Sequence, residues 1–507
     1  MISTFILFFI SLFAADLHFQ IEDKLSVPTN SYEINAPNND GQDILKNLDG
    51  LSGITLSSSN INAGPTNFIL RKLNSDHYLL LVDEIPLTDS STLGNASLFA
   101  AIPTDSILKI EILKGSYSAQ YGPKAHAGVI KITTNGLKRQ KLGTHYNSYG
   151  AGNLYYSYSK KKDNLYLSWD KGSHQSTNKK FLSKAGKSIV FKNTDVQLGA
   201  QYLYHDTLGL FPHPLKVNQD AKVLQRFYQF DLGTKSYFLD EDLEISLNSY
   251  HQKSIRDTNY GRMSGNSSNF RALGQYNFNE NYFSQLGFDI GKQKLIRTRS
   301  FAQLQQLSFD GAIDTQLNYQ VIVEFKPDSL TKLFYKHGRS LKEPSDYQKD
   351  STFGRKDLKN EKLVAHELGA SYDISTDQSL ASSYFYNIFD QKIDYDFEIY
   401  KFYNKQSDLI QGVDFSWKTS LSEITYTYQD EHIMRAQFSY KVNKWMINPS
   451  FKLTSNYKLY DIKISFDPNK YEHYFLSINN LLNYSYRLNK YNDGLGRYAL
   501  IGYNHSF

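Results

Sequence analysis

From about residue 138 to Phe507 the sequence keeps one rhythm: short stretches of alternating apolar and polar residues, broken by polar turns. Leu154, Tyr156 and Tyr158 share one face of such a stretch. After the turn Lys160-Lys-Lys-Asp-Asn164, residues Leu165, Leu167 and Trp169 share a face of the next. The pattern returns in residues 196–204, 227–233, 243–250, 283–290, 380–386, 413–417 and 438–442. A period of two places successive side chains on opposite faces of an extended strand. Soluble sandwiches alternate in the same way, but bury the apolar face between two sheets within about 100 residues. Here alternation runs for roughly 370 residues without a helical pattern or a linker, which a wall with lipid outside and a polar lumen inside explains better. The fold class expected is therefore mostly β: a transmembrane antiparallel β-barrel. At about 10 residues per crossing it holds about 22 strands, possibly fewer, since only eighteen or nineteen segments are clear.

The remaining composition fits this reading. The chain has 39 Tyr and 32 Phe, and an aromatic ring with a polar tip suits a surface between lipid and water. It has no cysteine, so packing and sheet hydrogen bonds must hold it together. Its 56 basic and 51 acidic residues nearly cancel and form no long basic run, so the chain lacks the footprint of a nucleic-acid binder. Residues 1–15 form a short apolar block ending in Ala14 and Ala15. It is too short for a spanning helix and is expected to be a signal peptide, although no Lys or Arg precedes it. No later apolar run has spanning length, so a membrane crossing has to be a closed barrel.

Residues 36–137 have a different texture, that of a small α+β domain. Asp43–Asp49 reads as a short helix running into turns at Gly50 and Gly53. Leu79–Val82 reads as a continuous strand and Ile107–Leu113 as an alternating one. No Gly-rich phosphate loop, nucleophile elbow or HExxH occurs, so no catalytic residues, metal ligands or cofactors are expected.

The domain carries a recognisable series of motifs. Leu80-Leu-Val-Asp83-Glu-Ile-Pro86-Leu resembles the "LVDGVPL" of TonB-dependent receptor plugs. Ile102-Pro through Glu111, Lys114-Gly115 and Tyr121-Gly122 is similar to "IP…IERIEVLRGPxSALYG". Ala125-His-Ala-Gly128-Val-Ile-Lys-Ile-Thr133 is similar to "AIGGVINIIT". In the barrel, Leu358-Lys-Asn-Glu361 with Glu367-Leu-Gly369 resembles "LKPE…ELG", and Gly412-Val-Asp414 resembles "GVE". Asn479-Asn-Leu-Leu482 with Gly496-Arg497 resembles "NLF…PGR". The chain thus resembles TonB-dependent outer-membrane receptors, nearest to those for cobalamin and ferric siderophores, from about residue 40 to its end.

That resemblance implies an outer-membrane location in a Gram-negative bacterium, a monomer embedded in outer-membrane lipid, and a plug (36–137) inside the barrel (138–507). It implies uptake of a metal-chelate ligand driven by a TonB-type protein of the inner membrane. A passive pore or adhesin is the alternative. The leader, residues 16–35, contains a candidate TonB box at Asp23, Lys24, Leu25, Ser26 and Val27, a segment that would pair with the partner as an added strand. By motif, Arg71 and Lys114 of the plug should face Glu367 and Asp414 of the wall. Gly115 and Gly122 serve tight turns, and Asp83 and Pro86 fix the turn after a buried strand. The sequence departs from the family pattern at Lys72 and Glu84, which replace turn glycines and are placed to pair with each other, and at Ala127. Ligand-binding candidates are Asn60, Asn62, Thr92 and Asn95 at the plug apex, with His205, Phe211 and His213 in an external loop.

Overall fold

The computed structural model describes residues 31–35 and most of the chain from residue 48 onward. The undescribed stretches include 57–67 and 92–96 in the plug, 135–138 at the junction, and barrel connections such as 209–210, 299–303, 309–318 and 488–493. No side-chain placement is described for residues 271–324.

The plug is built on a five-stranded sheet in the order Ser31–Asn35, Lys109–Lys114, Gly128–Thr133, Tyr78–Val82, Ile85–Pro86. Tyr78–Val82 runs parallel to Gly128–Thr133 and is buried at all five positions, which accounts for its uninterrupted apolar sequence. Lys109–Lys114 buries Ile110 and Ile112 and leaves Lys109 and Glu111 partly exposed, as its alternation predicts. Ser31–Asn35 pairs antiparallel with Lys109–Leu113, so the sheet reaches into residues that the sequence assigned to a flexible leader. The reason is local: a bare sheet edge recruits an extended segment to satisfy its backbone groups. Most of the expected helix Asp43–Asp49 lies outside the described residues; its end, at 48–50, is a turn.

The strands from Arg139–Asn147 to Tyr498–Ser506 surround this domain as a barrel of 22 strand segments. His432–Phe438 and Tyr440–Val442 are two halves of one interrupted strand, since both pair with Trp445–Thr454. The pairs Tyr498–Ser506 with Arg139–Asn147, and Gly152–Lys160 with Asp163–Ser173, carry the sheet across the chain's start and end. Among the described residues the register is defined for every neighbouring pair except Leu304–Ser308 and Tyr319–Phe325, which flank undescribed residues. Leu165, Leu167 and Trp169 point outward, and so do Leu368 at 61% exposure and Ile501 at 59%. Lumen-facing positions carry Lys184, Gln201, Gln225, Glu367 and Asp414, all buried. The apolar face is the one shown, as a wall in lipid requires.

The two ends of the barrel differ. At the end where the plug joins, connections such as 376–377, 419–421 and 443–444 are tight turns. At the opposite end lie the long connections, 209–221, 343–360 and 480–497. Short turns on one side and longer loops on the other mark the periplasmic and external sides of an outer-membrane barrel. No described helix is long and apolar enough to cross a membrane.

Candidate functional site at the plug–wall interface

The chain reverses between Leu70 and Leu73 in a two-residue turn closed by reciprocal backbone hydrogen bonds of 2.9 Å. Arg71 and Lys72 occupy it with φ of 46° and 64°, the left-handed region where glycine is usual. This turn drives the fully buried Arg71 side chain into the wall. Its Nη2 lies 2.6 Å from Glu367 Oε1 and 2.8 Å from Asp414 Oδ2. Its guanidinium lies 3.9 Å from the centre of the Phe385 ring. Lys114 Nζ lies 2.8 Å from the same Asp414 oxygen. Ser383 donates to Glu367 at 3.0 Å and Thr427 to Asp414 at 2.7 Å, so neighbouring wall strands finish both carboxylates. Two plug cations thus meet two wall anions away from bulk water. Burial disfavours the charge on Arg71, but Glu367 and Asp414 outweigh it and raise the guanidinium pKa, whereas burial lowers that of Lys114 against the pull of Asp414.

Two glycines permit close packing here, one against the wall and one within the plug. Gly115 has φ of 87°, and a Cβ there would sit 3.3 Å from Lys336 Nζ, which donates to the Lys114 carbonyl at 2.8 Å. A Cβ on Gly128 would sit 2.4 Å from the Leu113 carbonyl oxygen, inside the plug sheet itself. Asp83 accepts from the Thr134 amide at 2.7 Å and pairs with Lys184 of the wall, holding the end of the strand before it. The Pro86 carbonyl accepts from Gln252 of the wall. Glu111 pairs with Lys109 at 3.0 Å, and the Tyr121 ring lies 6.3 Å from that of Tyr117, tilted by 60°. Gly122 lies outside the described residues. Lys72 and Glu84 do not pair with each other: Lys72 reaches Asp430 of the wall, and Glu84 lies 2.9 Å from Lys131. Each occupies a separate two-residue hairpin turn, so their side chains leave in different directions. Ala127 is buried, and its amide donates to the His77 carbonyl at 2.7 Å.

A second cluster was missed by sequence reasoning. His77 Nε2 and His126 Nε2 of the plug lie 2.9 Å and 3.3 Å from one wall oxygen, Glu361 Oε1. The other imidazole nitrogens are occupied: His77 Nδ1 lies 2.9 Å from Asp76, and His126 Nδ1 lies 2.5 Å from Ser340 Oγ. Lys342 bonds Asp76 at 2.9 Å. Burial lowers the pKa of both imidazoles. For His77 the charges of Asp76 and Glu361 outweigh this and raise it, while His126 stays lowered. Glu361 closes the "LKNE" motif and His126 sits inside Ala125-His-Ala-Gly128, so both lay in segments already matched. Single residues in a strand carry no mark of which partner they meet.

A third contact, Asp49 with Lys452 at 2.7 Å, joins these on the strands between Thr331 and Thr454. The strands between Thr194 and Thr258 meet the plug differently, through glutamines. Gln201 donates to the Ala101 carbonyl, Gln225 to Asp89, and Gln252 to the Pro86 carbonyl and, at 2.8 Å, to Gln229.

The remaining candidates fare unevenly. Asp23, Lys24, Leu25, Ser26 and Val27 lie outside the described residues, as do Asn60, Asn62, Thr92 and Asn95. His205 is not in a loop: it lies within the strand Thr194–Leu208, buried and facing the lumen. Alternation carries that strand to Leu208, so the histidine falls on its inner face. Phe211–His213 forms a short hairpin with Lys216–Asn218 in the external connection.

Comparison with known proteins places this geometry. Residues 26–129 match the model of the TonB-dependent receptor plug domain. The chain is similar to vitamin B12 transporter BtuB of Vibrio vulnificus strain YJ016, 29% identical over 253 residues, covering 48% of this chain and 35% of that protein. The same transporter of strain CMCP6 is 26% identical over 285 residues, covering 50% of this chain and 44% of that protein. The alignments therefore span under half of these curated relatives. Among solved structures, the siderophore receptor PirA from Acinetobacter baumannii superposes with a TM-score of 0.77 at 12% identity, over 96% of this chain and 100% of that one. The ferric enterobactin receptor PfeA superposes with a TM-score of 0.76 at 12% identity, over 94% and 99%. At such identities the structural likeness is one of fold. These relatives are transporters and receptors rather than enzymes. The chain thus carries a TonB-dependent receptor plug domain inside a β-barrel with the fold of outer-membrane receptors of Gram-negative bacteria.

Proposed function

We propose that the protein actively imports a metal chelate, cobalamin or a ferric siderophore, and that the plug is moved from the periplasm by a TonB-type partner acting on residues 23–27. The observation that carries this is the buried cluster of Arg71, Lys114, Glu367 and Asp414, which ties the plug to the wall. A passive pore has no use for a stopper held by ion pairs. A transporter that must seal at rest and open on demand does. The ion pairs hold the plug while their partners stay matched, and they exchange for water once the plug is pulled. The ligand class rests on relatives named for vitamin B12 and for siderophores.

Deleting residues 22–29 should abolish energised uptake while leaving ligand binding at the cell surface intact. Unchanged uptake would defeat the partner assignment. Growth of a strain lacking the protein on limiting cobalamin, and separately on chelated iron, identifies the ligand by which condition fails.

A further inference from the structure

On one side of the barrel the outward face changes character with height. In the strands Asp163–Ser173, Thr194–Leu208 and Lys222–Phe238 its lower part shows Leu165, Leu167, Leu198, Phe230 and Leu232, all exposed. Toward the external side follows a row of rings: Trp169, Phe181, Tyr202 and Tyr228. Phe181 and Tyr202 lie 6.3 Å apart, centre to centre, and Tyr202 and Tyr228 5.0 Å. Such a row marks the level at which hydrocarbon gives way to lipid headgroups.

Cations follow the rings one step further out. Lys171 lies two residues beyond Trp169, Lys179 two beyond Phe181 and Arg226 two beyond Tyr228, each on the same outward face. Lys253 is exposed and in register with Tyr228. Lys171 and Lys179 are exposed and stand directly opposite each other across their strand pair. Like charges so placed repel and weaken the pair, so an anion held over both is stabilised. Two carboxylates share the patch: Asp206, in register with Lys179, and Asp257, which Arg226 approaches to 2.8 Å and Arg262 also pairs with. Among these described residues cations still exceed acids. The patch also has a border. The external turn beside it, Ser148-Tyr-Gly-Ala151, carries no charge, and Gly152, in register with Lys171, puts no side chain between that lysine and Tyr146.

We propose that this face binds a phosphorylated, multiply acylated glycolipid of the outer leaflet. One phosphate lies over Lys171 and Lys179 and relieves their repulsion. A second is met by Arg226 and Lys253, about 10 Å away from Lys179 at two strand spacings. The sugars rest on the aromatic row, and the acyl chains run down over Leu167, Leu198 and Phe230. A phospholipid with one phosphate reaches only one of the two cation pairs. The inference goes beyond the import proposed above and needs only the lipid-facing side of the wall.

The test is native mass spectrometry of the full-length protein in non-ionic detergent, titrated with diphosphoryl hexa-acyl lipid A or with phosphatidylglycerol. Barrel folding of each variant is checked by its heat-dependent mobility on a gel. Wild-type protein should retain the diphosphoryl lipid at least tenfold more tightly than phosphatidylglycerol. The double variant Lys171→Gln/Lys179→Gln should lose that advantage, and Lys171→Arg/Lys179→Arg should keep it. Lys458→Gln, at an exposed external strand end outside the patch, should bind as wild type does. Equal retention of the two lipids by wild-type protein overturns the proposal, since any anionic lipid would then serve. Unchanged affinity in the folded Gln double variant, or an equal loss in Lys458→Gln, overturns the assignment to this face.

Discussion

Plug and barrel draw on the same apolar residues and turn them in opposite directions. Leu80 in the plug has 0% exposure and packs among Phe68, Tyr78 and Ile130, whereas Leu368 in the wall stands 61% exposed, facing outward. In the plug, burial removes apolar surface from water and stabilises the fold. In the wall, lipid takes the place of a core, and the sheet closes on polar side chains. The difference teaches that the interface between the two regions has to be polar. The plug's outside meets the wall's inside, and both are the polar faces of their elements, so charge pairs and amides become the adhesive.

Several substitutions would break or sharpen this contrast. Replacing Arg71 by Ala leaves Glu367 and Asp414 buried without their main cation, and should destabilise the docked plug by about 3–5 kcal/mol, read as the shift of the plug's unfolding transition in the purified protein. Leu80→Ala should cost the plug about 2–5 kcal/mol through lost burial and a cavity. Leu368→Ala, on the lipid-facing side, should cost under about 1 kcal/mol, since its methyl groups leave hydrocarbon for hydrocarbon. Equal losses at these two leucines, measured by denaturant titration, would erase the contrast. Lys72→Gly should stabilise the plug by about 1 kcal/mol, because φ of 64° suits glycine and the exposed pair with Asp430 contributes little.

The smallest expected effect is a pH response. His77 has a raised pKa, so its stabilising charge is fully present below its ordinary value of 6.5 and is lost as pH rises through the raised value. His126 has a lowered pKa, so its contribution is lost as pH falls through 6.5 toward the lowered value. Plug unfolding temperatures scanned from about pH 5 to 9 should therefore lose their alkaline-side decline in His77→Gln and their acid-side decline in His126→Gln.

How much of this was legible in the sequence depended on whether a local rule was at work. The barrel was readable because period-two alternation states which face is apolar, and its persistence states that the apolar face meets lipid. The plug strand Tyr78–Val82 was readable because a strand covered on both faces is continuously apolar. Arg71, Lys114, Glu367 and Asp414 could be named together only through motif resemblance, since |i−j| separations of 296 to 343 leave no local trace. The glutamine side and the histidine cluster stayed hidden for the same reason: Gln252 and His126 look like any polar residue until the fold sets the plug against the wall. Lys72 and Glu84 misled because charge suggested a pairing, while turn geometry sent the two side chains apart.

The central claim is that the plug lies inside the barrel, bonded to the wall through Arg71 and Asp414. A double-mutant cycle on Arg71→Ala and Asp414→Ala, read from hydrogen exchange of the plug amides at Tyr78–Val82, tests it most directly. The account predicts a coupling between the two sites of about 2 kcal/mol or more. Additive effects, within about 0.5 kcal/mol, would mean the two residues do not meet and would contradict it.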